Sequence, residues 1–306
     1  MKDLLRRIAS RVVRQPQQFH VSSAGALKAK LDEQASAIQY LLDEVSDLRR
    51  DTRELLGQSG LNRNEMRQTR ESFAFQWAEI TEGKHLLGDP EFEGEMVKLL
   101  ETYSGYKSDW FKGKKVLDAG CGNGRWSYVM ARLGAKVTAV DQSDSGVAAV
   151  SKHFEAFPDV HVQQANILDP LPFKPEFDFV WSYGVTHHTG YTKLAVENVA
   201  AMVKPGGRLF LMIYGEPVCK PEFDEINNYV DLRRKTQFMT FKEKEEFLGK
   251  IYPKDLVHGY FDAVSPIVND LHRFDEIENW LRQFGFVDIR PTLENRNHHL
   301  IAQRPN

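Results

Sequence analysis

The stretch VLDAGCGNGRW, Val116 to Trp126, decides the fold. An apolar run of strand character enters a loop with glycine at 120, 122 and 124, and a helical pattern follows. Glycines at this spacing let the backbone turn tightly and come close to a ligand. Asp118 stands just before them, and Asp141 ends the next apolar run twenty-three residues on. A carboxylate there can accept both hydroxyls of a ribose. Two nucleoside-binding readings fit. A dinucleotide site wants a third glycine three residues after the second, and position 125 is Arg. An acid directly ahead of the glycines suits instead a ligand with a positive amino group, which pyrophosphate lacks.

Outward from the loop, β-rich runs alternate with helical stretches: KVLDAG, Arg125 to Leu133, AKVTAVD, Ser143 to Phe154, VHVQQAN, FDFVWS, Lys193 to Met202 and GRLFLMIY. After Tyr214 the alternation stops for about sixty residues, then resumes with a helix over Phe274 to Phe284 and the strands GFVDIR and NHHLIAQ. The pattern predicts an α/β fold with a doubly wound, seven-stranded, mostly parallel sheet over residues 113–306, interrupted by a helical cap at 215–273. Insertions at such a point commonly recognise substrate.

Upstream, residues 1–16 read as a basic amphipathic helix, with Leu4, Leu5, Ile8, Val12 and Val13 against Arg6, Arg7, Arg11 and Arg14. It suits an anionic membrane surface or a partner protein. Residues 24–57 carry heptads, with Ala24, Leu31, Ile38, Val45 and Thr52 at a and Leu27, Gln34, Leu41, Leu48 and Leu55 at d. This predicts a coiled coil and a homodimer, with a trimer as the alternative. Residues 58–112 read as a helical connector or lid containing ESFAFQW, whose aromatic residues are unusual for a surface linker.

The 306 residues are 42% hydrophobic and 27% charged, enough for a substantial core. A net charge of −3 argues against nucleic acid as partner, and no Asn-Pro-Pro-Tyr type run that would hold a flipped base follows FDFVWS. Two cysteines, Cys121 and Cys219, provide no disulfide framework, which fits a cytoplasmic protein; no apolar run is long enough to span a membrane.

VLDAGCGNGRWS resembles the first motif of class I S-adenosylmethionine-dependent methyltransferases, VTAVDQS their second, and FDFVWSYGVTHHTG with VKPGGRLFLMIY their fourth and fifth strands. The resemblance runs from Glu71 to the end and is greatest to bacterial methyltransferases of sugar and polysaccharide pathways. It implies S-adenosylmethionine as cofactor, with Asp118 facing its amino group, Gly120 and Gly122 approaching it, Asp141 on the ribose and Gln142 against the adenine. Asn166 stands where the family usually has an acid for the adenine amino group, with Asp169 as the alternative, and Ile167 packs on the ring. Ser182 of the fourth strand joins this set, and Gln76 and Trp77 close over it.

The donor's methyl is already activated, so the protein must align the acceptor and, for a hydroxyl, remove a proton. His187 and His188, beyond the fourth strand, are the candidate bases. The family's recurrent histidine in this stretch often serves packing, and His188 matches it, which leaves His187 as the residue freer to vary with substrate. Some relatives bind a divalent cation here through carboxylates, but adjacent histidines make a poor site for a hard cation, and no metal is expected. Candidate acceptor contacts are Tyr183 and Tyr214 near strand ends, and His258, Tyr260, Asp262, His272 and Arg273 in the cap. The acceptor expected first is a hydroxyl of a sugar or lipid-linked polysaccharide, with a glycosyltransferase or the inner membrane face as neighbour. The rival readings are a small-molecule O-methyltransferase for a quinone or secondary metabolite, and a coiled-coil scaffold carrying an inactive cofactor module.

Overall fold

The computed structural model describes residues 63–80, 88–155 and 157–306, with Lys28, Lys30, Gln34 and Ala37 as isolated helical positions. The basic helix expected over 1–16 and, those four positions apart, the coiled coil expected over 24–57 lie outside the described residues. The chain divides into two compact units, Met1–Gln58 and Ser59–Asn306. In chain order the second unit contains α1 (Arg63–Glu79), α2 (Pro90–Ser104), a 3₁₀ turn (Ser108–Phe111), β1 (Lys115–Ala119), α3 (Arg125–Arg132), β2 (Lys136–Asp141), α4 (Asp144–His153) and β3 (Val160–Gln164). It continues with β4 (Phe177–Tyr183), a second 3₁₀ turn (Thr186–His188), α5 (Thr192–Ala200), β5 (Val203–Ile213), α6 (Lys220–Thr236), α7 (Phe241–Ile251), α8 (Lys254–Val264), α9 (Phe274–Gln283), β6 (Val287–Pro291) and β7 (His298–Gln303). Among the described residues no helix is long and apolar enough to cross a membrane.

The strands form one seven-stranded sheet in the order β3-β2-β1-β4-β5-β7-β6. β7 runs antiparallel to β5 and β6, and the other pairs are parallel. Successive side chains of a strand point to opposite faces, and both faces here are covered, which is why the central strands read as continuous apolar runs. Val116, Phe179, Trp181, Phe210 and Met212 pack on one face with Leu100 of α2 and Val129 and Met130 of α3. Leu117, Val180, Leu209, Leu211 and Ile213 pack on the other with Val196 and Val199 of α5 and Ile277 and Leu281 of α9. Each such side chain contributes about 1.5–3 kcal/mol relative to exposure.

β5 begins at Val203, earlier than the expected Gly207. Val203 pairs with Phe177, and the register then shifts so that Arg208 meets Phe179. Gly206, at φ 73°, takes the turn that this bulge requires.

α6, α7 and α8 occupy the interval between β5 and α9, with Leu232, Leu248, Val257, Phe261 and Val264 as their own apolar centre. α1 docks on α8 and the segment after it through polar groups. Gln68 Nε2 donates to the Ser265 carbonyl at 2.9 Å, and Ile267 N–H donates to Gln68 Oε1 at 2.9 Å. Val268 N–H donates to Thr69 Oγ1 at 2.9 Å, and Ser72 Oγ donates to Ser265 Oγ at 2.8 Å. Because strand order reverses between β1 and β4, a crevice opens outside their carboxyl ends. The glycine loop leaves β1 there, and the His187–His188 turn follows β4.

Candidate active site

Gly120, Gly122 and Gly124 adopt φ of 87°, 53° and 80°, a region that other residues enter only at a cost. Crowding adds a second demand, since a Cβ on Gly122 would stand 2.8 Å from the Trp77 ring and one on Gly124 would stand 2.9 Å from Val150. Asp141 fixes the loop: its Oδ2 accepts from Gly122 N–H at 3.0 Å, and its Oδ1 accepts from Ser143 N–H and Oγ at 2.9 Å each. An ionised carboxylate has about four acceptor positions, so with three engaged about one remains, on Oδ2, for a ligand hydroxyl.

A cavity of about 270 Å³, near the size that takes a drug-like ligand, opens over this loop. Gly120, Gly122, Asp141, Gln142, Asn166, Ile167 and Trp77 line it. Asn166 Oδ1 accepts from Leu168 N–H at 3.1 Å, which holds the amide beside the cavity and engages one of its lone pairs. Three of the expected cofactor residues stand behind this wall. Ser182 Oγ donates to the Ala119 carbonyl at 3.0 Å, bracing the loop's entry. Gln76 is buried, and its Nε2 donates to His258 Nε2 at 2.9 Å.

The third is Asp118, buried beneath the glycines, where Oδ2 accepts from Ser127 Oγ at 2.6 Å. Burial pushes its carboxyl up to about 7, opposed by the Ser127 hydrogen bond and helped by the Asp141 charge. In the unfolded chain its value returns to 3.8. The folded protein therefore holds the proton more tightly, and Asp118 weakens the fold progressively as pH rises from about 4 to about 7, by on the order of 4 kcal/mol. Urea titrations are expected to show Asp118→Asn gaining stability over wild type across that window, with a constant difference above it. A difference independent of pH would mean that the carboxyl is unshifted.

The acceptor candidates divide. Tyr183, His258 and Asp262 line the cavity. Tyr214 stands behind Asp262 and donates to its Oδ2 at 2.6 Å. Tyr260 stacks on Tyr252 at 3.6 Å, His272 contacts Glu276 at 3.0 Å, and Arg273 pairs with Asp275 at 2.7 Å, all outside the cavity wall. The reason is helical: His258 and Asp262 are four apart on α8 and share a face, whereas Tyr260 points elsewhere.

The two histidines have different surroundings. His188 lines the cavity, and its Nδ1 lies 3.0 Å from the Val268 carbonyl. A carbonyl only accepts, so the proton is on Nδ1 and Nε2 keeps its lone pair, with no partner among the described residues. Burial lowers its pKa, despite the Asp262 charge, so the ring is neutral at neutral pH. His187 is fully buried off the cavity, stacked on Tyr214 at 3.9 Å, and burial holds its pKa well below the usual value.

Met66, Arg70, Phe73 and Trp77 roof the cavity. Their 4-3-4 spacing is one helical face, the signal in the sequence that would have identified them. Phe75 points the other way, toward Phe241 and Phe261 at 5.7 and 5.6 Å. Trp126 and Met212 extend the apolar wall. Among the described residues no group of three or more His, Cys, Asp or Glu is arranged to hold a metal ion.

Residues 117–211 match the family described as methyltransferase domain. The chain is 29% identical over 175 residues to a ubiquinone biosynthesis O-methyltransferase of Xanthomonas euvesicatoria pv. vesicatoria, covering 56% of this chain and 62% of that one. It is 36% identical over 100 residues to a protein of the same name from Coxiella burnetii, covering 32% and 43%. The match thus spans less than two thirds of either relative. Among solved structures, magnesium protoporphyrin IX methyltransferase from Synechocystis PCC 6803 with bound SAH is 18% identical, with a TM-score of 0.45 over 70% of this chain and 82% of that one. The segment 117–211, which carries the glycine loop, both aspartates and the histidine pair, is thus the part of the chain similar to the methyltransferase domain family.

Proposed function

We propose that the protein is an S-adenosylmethionine-dependent methyltransferase that O-methylates a small, flat, hydroxyl-bearing acceptor of quinone-precursor type. The observation that carries this reading is one cavity lined by the glycine loop, Asp141, four aromatic side chains and the ring of His188, whose buried Nε2 has no partner among the described residues. Phe73, Trp77, Trp126 and Tyr183 line the cavity, an aromatic set that suits a planar acceptor. The roof of α1 suits a small molecule better than a polymer. The named relatives favour the quinone reading over the sugar or polysaccharide acceptor expected first.

The residues fit the cofactor: the glycine loop allows close backbone approach, and Asp141 retains an acceptor position for a ribose hydroxyl. Asn166 and Ile167 line the same cavity and would flank an adenine, and Asp118, protonated beneath the loop below about pH 7, would be drawn to its charged form by a bound ammonium. The bound cofactor supplies a sulfonium methyl with its own leaving group. The chain's task is then to orient the acceptor oxygen and take its proton, which we assign to His188 Nε2. Tyr183, His258 and Asp262 position the acceptor.

Calorimetry with S-adenosylmethionine tests the cofactor. Binding is expected at one site per chain and is weakened at least about tenfold in Asp141→Ala, the loss of a charge-assisted hydrogen bond. Absence of binding by the wild type would sink the assignment.

A further inference from the structure

A second cavity, of about 520 Å³, adjoins α1 and plays no part in the proposed methyl transfer. The end of α6, the first turn of α7 and the segment after α8 wall it. Gln68 of α1 lines it, whereas Met66 and Arg70 line the first cavity, so different faces of one helix serve the two. Much of the wall is apolar, including Met239, Phe241 and Ile267. Two cations, Arg233 and Lys244, stand in that wall, and no carboxylate does.

Lys244 is the telling residue. It is only 7% exposed, and its ammonium makes no hydrogen bond or ion pair among the described residues. It lies over the Phe241 ring at 5.9 Å. Arg233, whose Nε and Nη2 donate to the Ala263 carbonyl at 3.1 and 2.6 Å, adds a like charge. Burial and that charge together pull the lysine below its ordinary pKa. The nearby carboxylate of Glu243 is turned to Thr240 in the capping box of α7 and does not line the cavity. Lysine is rarely so covered unless paired; here the stem is buried while the ammonium keeps its access to the cavity. Packing alone would be served better by an apolar side chain.

We propose that this cavity is a second ligand site, which takes the phosphate or carboxylate head of a small molecule bearing a short apolar tail. The head lies between Lys244 and Arg233, and the tail runs along Met239, Phe241 and Ile267. Nothing in this assignment depends on what fills the first cavity.

The test is calorimetric titration of the full chain with octyl phosphate, below its micellar concentration, and with inorganic phosphate, using wild type and Lys244→Met. Methionine keeps the length of the stem and removes the charge, so its resistance to urea is expected to equal or exceed that of wild type, which separates lost binding from a lost fold. Octyl phosphate is expected to bind wild type at one site and to bind the variant at least about tenfold more weakly, the effect of losing a charge-assisted hydrogen bond. Inorganic phosphate is expected to bind wild type at least about tenfold more weakly than octyl phosphate, since each methylene buried contributes a factor of about four. Equal affinities of the two probes for wild type would overturn the assignment of the apolar wall to a ligand tail. Octyl phosphate binding equally to wild type and variant, or not at all to wild type, would overturn the proposal.

Discussion

Replacing His188 by alanine is expected to lower turnover by about 10²–10⁴-fold, the usual range for a positioned general base, while leaving S-adenosylmethionine affinity unchanged. The expectation rests on tautomer: the Val268 carbonyl fixes the proton on Nδ1 and leaves Nε2, buried and without a partner among the described residues, as an acceptor on a ring that lines the cavity. Burial lowers the pKa from 6.5, so the base is fully available at neutral pH, and the acid limb of the kcat/KM profile lies below that value. The limb should vanish from the residual activity of the variant. His187→Phe is the contrasting case. It keeps a ring against Tyr214 and removes two buried nitrogens that have no partner among the described residues, so turnover is expected to survive. Equal loss in both variants would show that the turn matters only as a unit.

Gly120→Ala is expected to destabilise the protein by about 2–5 kcal/mol and to abolish cofactor binding. A φ of 87° costs a non-glycine residue about 1–2 kcal/mol. The new Cβ would also fall among the methyl groups of Val185, and overpacking of that kind costs a further 1–3 kcal/mol or so. Adding Val185→Ala removes the clash but leaves the backbone strain, so the double variant should recover part of the stability, a coupling that denaturation of the four proteins would measure. A Gly120→Ala protein as stable as wild type would refute both contributions.

The strands and the glycine loop were legible in the sequence because a doubly covered parallel sheet leaves continuous apolar runs, and because Gly120, Gly122 and Asp141 are each required by local backbone geometry. Less legible was anything decided by which way a helix faces. VHGYFDAV names His258, Tyr260 and Asp262 as one cluster, and the turn of α8 sends Tyr260 away from the cavity. In ESFAFQW the aromatic spacing of two conceals a helix that sends Phe73 and Trp77 to one cavity and Phe75 to the cap. Asp118 and Ser182 were read as ligand contacts, and the structure has them bonded to Ser127 and Ala119 behind the loop. His187 and His188 are indistinguishable by composition. A 3₁₀ turn rotates successive residues by about a third of a circle, which is enough to bury one off the cavity and bring the ring of the other to its lining.

The bonds that hold α1 to the segment after α8 join positions 193 to 199 residues apart in sequence. Contacts of such high order carry a loop-closure cost that local contacts do not. The roof is therefore expected to form late in folding, which φ-values near zero at Gln68 and Ser72 would bear out.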